Sequence, residues 1–288
     1  MLTEYLKEQF ETPLVFIDIG ARFGIDQRWQ RLGDKIKAYC FETDKEECDR
    51  LNGAPNVIFI PQAISGRTGK ATLYHAYYPE STGLYKTNDA FFNRLLNKDN
   101  AEVIKEEEID VMTLDDAMDK YNIPDPDFIK IDVEGAELDV LKGTDLTSVF
   151  GIFTEFRFHK EINGSPTFSE LDQYLTNRGF MLYSIWTGKQ SRKDLPYPGP
   201  ALTFNGKRFH AGTNGGQVMD GDALYLRDSV RFKNCMQKED VLKAACIYEL
   251  FDLNDCAAEL LIAHDYEDVS HCLDLLSGGS YKVYLENY

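Results

Sequence analysis

The segment from Asp127 to Val140, with the sequence DFIKIDVEGAELDV, constrains the fold of this chain more than any other. Apolar residues dominate up to Asp132, and Glu134 and Gly135 then lead into a stretch compatible with a helix. A buried strand that ends in carboxylates needs a reason, because charged groups are costly to remove from water. Open α/β sheets bind their ligands at the carboxyl ends of parallel strands. The segment therefore predicts a strand, a turn and a helix at the functional edge of such a sheet.

The composition is that of a globular protein with an acidic surface. The 288 residues are 43% apolar and 27% charged, which is enough apolar material for one large α/β core and an appendage. The 48 acidic residues outnumber the 31 basic ones, and the formal net charge is −17. A surface with this charge repels the phosphate backbone of nucleic acids, so we predict no nucleic-acid partner.

No segment predicts export or membrane insertion. Residues 1–10 alternate charged and apolar side chains and lack the basic start and apolar core of a secretory signal. No apolar run approaches the roughly 18 residues of a spanning helix. The six cysteines include no C-x-x-C pair and are typical of thiols in a reducing compartment. We therefore expect a cytoplasmic location without membrane insertion.

Strand-like and helix-like segments alternate along most of the chain, which predicts a mainly parallel sheet with helices on both faces. Strands are expected at 14–19, 35–41, 56–60, 71–75, 109–112, 127–133, 151–156, 180–186 and 222–226. Helices are expected at 2–10, 25–32, 44–51, 88–97, 135–141, 168–177, 239–249, 255–263 and 266–276. Glycines and prolines in residues 187–221 predict a long surface loop. We expect residues 1–228 to form one domain and residues 229–288 a helical C-terminal extension.

Two glycines follow the first predicted strand, in the pattern Asp18-Ile-Gly20-Ala-Arg22-Phe-Gly24. Glycine permits a tight turn and a close approach of the backbone to a ligand, although the pattern alone also fits a simple turn. Dinucleotide enzymes carry G-x-G-x-x-G, and Arg22 stands where the second glycine would let a pyrophosphate approach. The turn therefore favours a smaller nucleoside ligand over NAD or FAD.

Polar residues also follow the second and third predicted strands. Glu42 lies 22 residues after Gly20, where an acid commonly accepts both hydroxyls of a ribose, and Thr43 adjoins it. Gln62 and Ala63 come after the third strand and are expected beside an adenine ring. Each residue has a structural explanation as a helix cap or a polar strand end. Together with the glycine turn, they indicate a nucleoside pocket.

Five segments resemble, in this order, the FkbM-type methyltransferase family. They are FIDIGARFG at 16–24, FE at 41–42, QAIS at 62–65, TLD at 113–115 and FIKIDVEGAE at 128–137. The resemblance covers about residues 13–227 and implies the seven-stranded class I methyltransferase fold. It also implies S-adenosylmethionine as the methyl donor and an oxygen of a sugar or another small natural product as the acceptor. Arg22 departs from the family, whose members often carry a small polar residue there.

An acid-rich cleft suits this donor, because S-adenosylmethionine carries a sulfonium cation. Asp18 and Asp132 are expected to flank its pocket. Asp132 could bind the methionine ammonium, or it could line the acceptor site. It could also share a divalent metal with Glu134, as paired carboxylates can. No neighbouring histidine or third ligand is evident in the sequence, so we predict no metal.

Three residues compete for the role of general base, which takes the proton of the acceptor hydroxyl as the new bond forms. They are Glu134, Glu155 at the end of the predicted strand 151–156, and His159 just beyond it. Glu155 would otherwise be buried in an apolar strand without cause. His159 has a suitable pKa but is equally well explained as a loop histidine.

The predicted C-terminal helices carry apolar residues at helical spacing, namely Val241, Ala244, Ala245, Tyr248 and Phe251. They could pack onto the rest of the chain, form a homodimer or dock a carrier protein. Two functions follow from the sequence as a whole. The first is a methyltransferase acting on a sugar or other small-metabolite hydroxyl. The alternative is a non-catalytic nucleoside-binding or assembly protein that works through its helical tail.

Overall fold

The fold centres on a seven-stranded sheet. The computed structural model describes residues 1–194, 201–204, 206–210, 215–228 and 236–277. The strands in chain order are β1 Leu14–Ile19, β2 Ile36–Glu42, β3 Val57–Pro61, β4 Ala63–Ile64, β5 Gly69–Ala76, β6 Val103–Met112, β7 Phe128–Ile131, β8 Gly151–Arg157, β9 Phe180–Gln190, β10 Ala201–Phe204, β11 Lys207–His210 and β12 Gln217–Arg227. Within the described residues, the large sheet has the order β3-β2-β1-β7-β8-β12-β9.

The sheet is mainly parallel, as the alternation of strands and helices predicted, but it is mixed. Strand β2 pairs in parallel with β3, and β7 pairs in parallel with both β1 and β8. Strand β12 lies between β8 and β9 and is antiparallel to β8. The carboxyl ends of β1, β2, β7 and β8 therefore meet at one edge, and β12 brings residues from late in the chain to the same edge.

The central strands read as continuous apolar runs because layers cover both faces of the sheet. Every residue of β1 is buried, and so are six of the seven residues of β2. Their side chains join one core cluster with β7, β8 and the helices that follow them. Asp18 lies within this apolar strand and is only 3% exposed. Its burial is the first sign that the sheet carries a charged site.

The helices in the described residues begin and end as follows: α1 Leu2–Leu6, α2 Lys45–Leu51, α3 Asp89–Phe92, α4 Leu114–Tyr121, α5 Glu137–Lys142, α6 Phe168–Thr176, α7 Lys238–Leu250, α8 Asn254–Ala263 and α9 Val269–Ser277. Short 3-10 helices lie at Lys7–Gln9, Gln27–Lys35, Pro79–Ser81 and Lys98–Ala101. The start of α2 is fixed by Asp44, whose carboxylate accepts the amides of Glu46 and Glu47. Side-chain acceptors of this kind satisfy backbone donors that have no partner inside a helix.

Three secondary-structure predictions were wrong. The helix expected at 25–32 is the 3-10 segment Gln27–Lys35, which Gly33 interrupts at φ 61°. The helix expected at 88–97 is only α3. The surface loop expected at 187–221 contains the end of β9, both strands of the β10/β11 hairpin and the start of β12. Gly221 serves close strand packing rather than a loop, because a Cβ there would lie 2.0 Å from the carbonyl oxygen of Trp186.

The described residues divide into two compact units. One comprises Val15–Ile25 and Ala38–Leu226 and holds most of the large sheet. The other comprises Met1–Leu14, Asp26–Lys37 and the described residues from Arg227 onward. The latter unit groups the C-terminal helices with two segments from the start of the chain. The domain boundary expected between residues 228 and 229 stays a prediction.

Helix α7 is the centre of the smaller unit, where it packs against α8 and α1. Its residues from Val241 to Tyr248 are all buried, so its apolar residues are covered on every side. The carboxylate of Glu249 accepts hydrogen bonds from the amides of Leu2 (3.0 Å) and Thr3 (2.7 Å) and from the guanidinium of Arg31 (2.9 Å). This one acid ties the end of α7 to two segments distant in sequence.

Two expectations from composition can be checked on the described residues. None of the helices described is both long enough and apolar enough to cross a membrane. Five cysteines in the described ranges, Cys40, Cys48, Cys246, Cys256 and Cys272, are free thiols. Cys235 lies outside those ranges.

Candidate active site

A cavity of about 610 Å³ opens at the carboxyl ends of the parallel strands. Ligand sites of small molecules typically have volumes of about 300–1,000 Å³, so the cavity has room for a nucleoside-bearing ligand and a second small molecule. Nine of the predicted site residues line it: Gly20, Arg22, Glu42, Thr43, Gln62, Ala63, Asp132, Glu134 and Glu155. Asp18, Gly24 and His159 are not among its lining residues. The structure thus brings most of the predicted set together around one space.

The turn after β1 is held against both neighbouring strands. The amide of Gly20 donates to the carbonyl oxygen of Phe41 on β2 at 2.9 Å. Gly20 has φ +86°, and a Cβ at this position would lie 1.8 Å from the carbonyl oxygen of Asp132. Gly24 has a similar φ of +91°, but the nearest atom to its Cβ position, on Leu51, is 4.0 Å away. Gly20 is required by both conformation and space, whereas Gly24 is required by conformation alone.

Glu42 ends β2 with its side chain 7% exposed at the wall of the cavity. Its Oε1 accepts the hydroxyl of Thr43 at 3.0 Å and the amide of Asp44 at 2.9 Å. The guanidinium of Arg22 lies 4.0 Å from Oε1 of Glu42 and 3.2 Å from Asp44. Both short hydrogen bonds use Oε1, so the carboxylate is held in one orientation while Oε2 takes part in neither bond.

Lys130 is a charged residue of this region that the sequence analysis missed. Its ammonium lies 3.2 Å from Oδ1 of Asp18 and 3.3 Å from Oδ2 of Asp132, and it donates to the carbonyl oxygen of Gly20 at 3.2 Å. Burial lowers the pKa of Lys130, but the two carboxylates outweigh burial and hold that pKa above its ordinary value. A lysine within the apolar strand FIKI was the available signal. Asp18 therefore supports the glycine turn through Lys130 rather than lining the cavity.

Arg157, also missed, holds the predicted catalytic carboxylates. It is 6% exposed, and its guanidinium donates to Oε2 of Glu134 at 2.6 Å and to Oε2 of Glu155 at 2.7 Å. A third carboxylate, that of Glu161, lies 3.7 Å from its Nε. Charge-assisted bonds of this type fix geometry strongly, because both partners are held in one orientation. Glu134 and Glu155, 21 residues apart in sequence, are thereby held beside each other at the cavity wall.

Burial shapes the protonation of this cluster. It raises the pKa of Glu134 to about 8, although Arg157 opposes the effect, and it raises the pKa of Glu161 to about 7. Burial also raises the pKa of Glu155 above its ordinary value. Glu134 adopts a left-handed backbone with φ 57°, which non-glycine residues rarely do. Such strain is concentrated at functional sites, where the surrounding structure holds it in place.

His159 lies close to this cluster in sequence, but its side chain has other contacts. Its Nε2 is 2.9 Å from Nε2 of Gln217 and 3.2 Å from the carbonyl oxygen of Val218. Its ring stacks on that of Phe91 with the centroids 5.8 Å apart. Of the three candidate bases, the two glutamates line the cavity and the histidine does not.

Strand β12 adds two acids that the sequence analysis placed at the end of a loop and the start of a strand. Asp222 lies directly opposite Glu155 in the β8/β12 pair, and Asp220 lies opposite Arg157. Both line the cavity. Burial raises the pKa of Asp222 to about 6, and Asp132 adds to that effect. No local signal marks these residues, because their position depends on the antiparallel entry of β12.

Asp132, Glu134 and Glu155 each offer a carboxylate oxygen within 4.8 Å of the others. This spacing could hold a divalent cation, for which oxygen ligands are typical. The guanidinium of Arg157 already provides positive charge to Glu134 and Glu155. The expected absence of a metal stays a prediction.

The strand order, the glycine turn and the cavity define an α/β protein with its ligand site at the carboxyl edge of a mainly parallel sheet. The profile of the Methyltransferase FkbM domain matches residues 18–182, which is more than half of the chain. The chain therefore belongs to the FkbM methyltransferase family, as its motifs indicated. It is a methyltransferase, and S-adenosylmethionine is its methyl donor. This result argues against the alternative of a non-catalytic nucleoside-binding or assembly protein.

The chain is also similar to several solved structures. One is the precorrin-6y C5,15-methyltransferase of Geobacter metallireducens GS-15, with 12% identity, a TM-score of 0.36, and coverage of 78% of this chain and 86% of that chain. Another is an rRNA methylase of Streptococcus thermophilus, with 10% identity, a TM-score of 0.33, and coverage of 78% and 93%. A third is the magnesium protoporphyrin IX methyltransferase of Synechocystis PCC 6803 with bound SAM, with 10% identity, a TM-score of 0.31, and coverage of 78% and 76%. A search of curated proteins gave no match.

Proposed function

We propose that this protein transfers the methyl group of S-adenosylmethionine to a hydroxyl oxygen of a sugar or another small metabolite, within a class I methyltransferase fold. The proposal depends on one observation: a single cavity is lined on one side by residues suited to the donor and on the other by residues suited to take a proton. One wall holds the glycine turn and Glu42, and the other holds the carboxylates Glu134 and Glu155. A donor site and a proton acceptor thus face the same space.

The donor side fits an adenosine-bearing amino acid. Glu42 would accept the ribose hydroxyls, because its carboxylate is buried at the end of β2 and its orientation is fixed through Oε1. Thr43 would line the ribose, and Gln62 and Ala63 the adenine. Gly20 has no room for a Cβ because the Asp132 carbonyl oxygen occupies that place, so the glycine lets the end of β1 and Asp132 meet beside the donor.

The remaining donor contacts are polar. Asp132 would bind the methionine ammonium, since its side chain is 42% exposed and lines the cavity. Arg22 would face the methionine carboxylate from the turn. Asp18 would act on the donor indirectly, because it holds Lys130, which bonds the Gly20 carbonyl. Gly24 would shape the turn without touching the donor.

The bound donor supplies an electrophilic methyl carbon, and the protein supplies the alignment and the base. The acceptor oxygen forms a bond to the methyl carbon as the carbon–sulfur bond breaks, and the hydroxyl proton passes to a base. Glu155 and Glu134 are the candidates at the cavity wall. Arg157 keeps both carboxylates in place. His159 stays a third candidate, with its Nε2 directed at Gln217 and Val218.

The proposal is tested with a radiolabelled methyl donor and a panel of glycans and fractionated small-molecule extracts. We expect Glu42→Ala to abolish binding of S-adenosylmethionine in calorimetry. Glu155→Gln should keep donor binding and lose turnover. Glu46→Ala, on the exposed side of α2, is the matched control and should change neither. Failure of both S-adenosylmethionine and its demethylated product to bind the wild type would refute the donor site, and normal turnover in Glu155→Gln would refute the assigned base.

The cytoplasmic location and the roles of the C-terminal helices in dimerisation or carrier docking stay predictions. Helix α7 is buried within its own unit, so a docking surface would have to use the outer residues of α8 or α9, such as the 55% exposed Ile262. Measuring the solution mass of the full chain would test dimerisation.

A further inference from the structure

Acidic side chains outnumber cationic ones on the acceptor side of the cavity, and this composition bears on which acceptor fits there. The inference rests on the function proposed above. The acids lining the cavity beyond the donor wall are Glu80, Glu134, Glu155, Asp220 and Asp222. Within the described residues, Arg22 is the only cationic side chain in the lining, and it pairs with Asp44 at 3.2 Å.

The register of the sheet positions three acids of the cavity lining, namely Asp132, Glu155 and Asp222. Glu155 and Asp222 lie directly opposite each other on β8 and β12, and opposite residues of an antiparallel pair project from the same face. Asp132 directly follows β7, whose last residue pairs with the residue before Glu155. The three carboxylates therefore form a row across three adjacent strands.

Two buried cations border this row, and each is already shared. Lys130 lies between Asp18 and Asp132. Arg157 contacts Glu134 and Glu155, has Glu161 at 3.7 Å and lies opposite Asp220. Within the described residues, Asp222 forms no ion pair with either cation. A cationic group placed beside these acids stabilises their ionised forms and is attracted by them, so this wall favours a ligand that brings positive charge.

An aromatic side chain completes the same wall. Trp186 on β9 is 45% exposed, lines the cavity and is braced by the ring of Phe153 with the centroids 5.7 Å apart. The face of an indole attracts cations and also packs on the apolar face of a sugar ring. Gly188 is part of this wall, and Oδ1 of Asp220 occupies the place of its missing Cβ, at 1.9 Å. The carboxylate of Asp220 is therefore packed against the backbone of β9.

We propose that the acceptor is a hydroxyl compound that carries a protonated amine, of which an amino sugar is the simplest kind, and that anionic acceptors are excluded. The amine would lie among Asp222, Asp220 and Glu155, with the sugar ring against Trp186. A carboxylate or phosphate in the same place would meet like charges, which opposes its binding.

The test compares three methyl glycosides that share a glucose frame and differ in one substituent: the glucosaminide, the glucoside and the glucuronide. Each is titrated at neutral pH into the full-length protein saturated with S-adenosylhomocysteine, so that the donor wall is filled. We expect the glucosaminide to bind about tenfold more tightly than the glucoside. The glucuronide should give no measurable binding. Raising the salt concentration should reduce the difference between glucosaminide and glucoside.

A matched pair of variants locates the effect. Asp222→Asn should reduce the preference for the glucosaminide about three- to tenfold while leaving the affinity for S-adenosylhomocysteine unchanged. Asp49→Asn, on exposed α2, should keep the full preference. Equal affinities for the three glycosides, no measurable binding of the glucosaminide, or tight binding of the glucuronide would overturn the inference. Failure of S-adenosylhomocysteine to bind would instead refute the proposed function.

Discussion

The two glycines of the turn after β1 give the sharpest prediction, because their backbone conformations match and their surroundings differ. Gly20 has φ +86° and Gly24 has φ +91°. An alanine in the left-handed region costs about 1–2 kcal/mol, so conformation alone predicts the same penalty for both substitutions. The two substitutions differ in the free space around the new methyl carbon. This carbon would lie 1.8 Å from the Asp132 carbonyl oxygen in Gly20→Ala and 4.0 Å from Leu51 in Gly24→Ala.

A separation of 1.8 Å is about half the roughly 3.5–4.0 Å at which nonbonded carbon atoms pack. The backbone of Asp132 must therefore move, and overpacking of this kind costs a further 1–3 kcal/mol or so. We expect Gly24→Ala to lose about 1–2 kcal/mol of unfolding free energy. Gly20→Ala should lose about 2–5 kcal/mol by the sum of the two effects.

The same displacement should affect the donor. Asp132 lines the cavity and the Gly20 carbonyl bonds Lys130, so a shift of this turn changes two walls of the donor site at once. We expect Gly20→Ala to lose measurable binding of S-adenosylhomocysteine, and Gly24→Ala to keep it within about tenfold. Urea unfolding and calorimetry measure the two quantities. Equal losses in the two variants, in either assay, would refute the argument from close approach.

Three further predictions concern charged residues. Arg157→Met should lose about 3–5 kcal/mol of unfolding free energy in urea because it leaves buried carboxylates unpaired. The loss should grow as pH rises and those carboxylates ionise. Arg178→Met, at the surface, is the control and should be nearly neutral in the same assay. Glu249→Gln should lose about 1–3 kcal/mol. Burial opposes ionisation of Glu249, but its hydrogen bonds hold the pKa at about 2, below the ordinary 4.5. Its contribution is therefore present above pH 4.5 and is lost as pH falls toward 2, so the wild type and Glu249→Gln should converge in acid unfolding. Lys130→Met should weaken S-adenosylhomocysteine binding in calorimetry more than tenfold, since it frees the Gly20 carbonyl; unchanged affinity would contradict the support we assign to this lysine.

Most of the large sheet could be predicted because its signals are local. Strand β1 was predicted at its observed bounds, and β2, β3, β7 and β8 were predicted within a few residues, since buried parallel strands read as apolar runs. The glycine turn and Glu42 could be predicted for the same reason, as each follows directly from a strand end. The region 187–221 was misread because its glycines resemble those of a loop, although Gly221 allows two strands to pack closely.

The sequence by itself determined the apolar strands, the position of the glycine turn and the family to which the chain belongs. These features depend on residues that are adjacent or regularly spaced in the sequence. Only the tertiary structure decided that Lys130 and Arg157 are the cations holding the carboxylates, and that Asp222 faces Glu155. The physical reason is that these contacts depend on strand order and register between segments that are 23 to 110 residues apart in cases such as Arg157–Glu134 and Lys130–Gly20. The antiparallel pairing of β12 also places acids at the active edge that no local pattern marks.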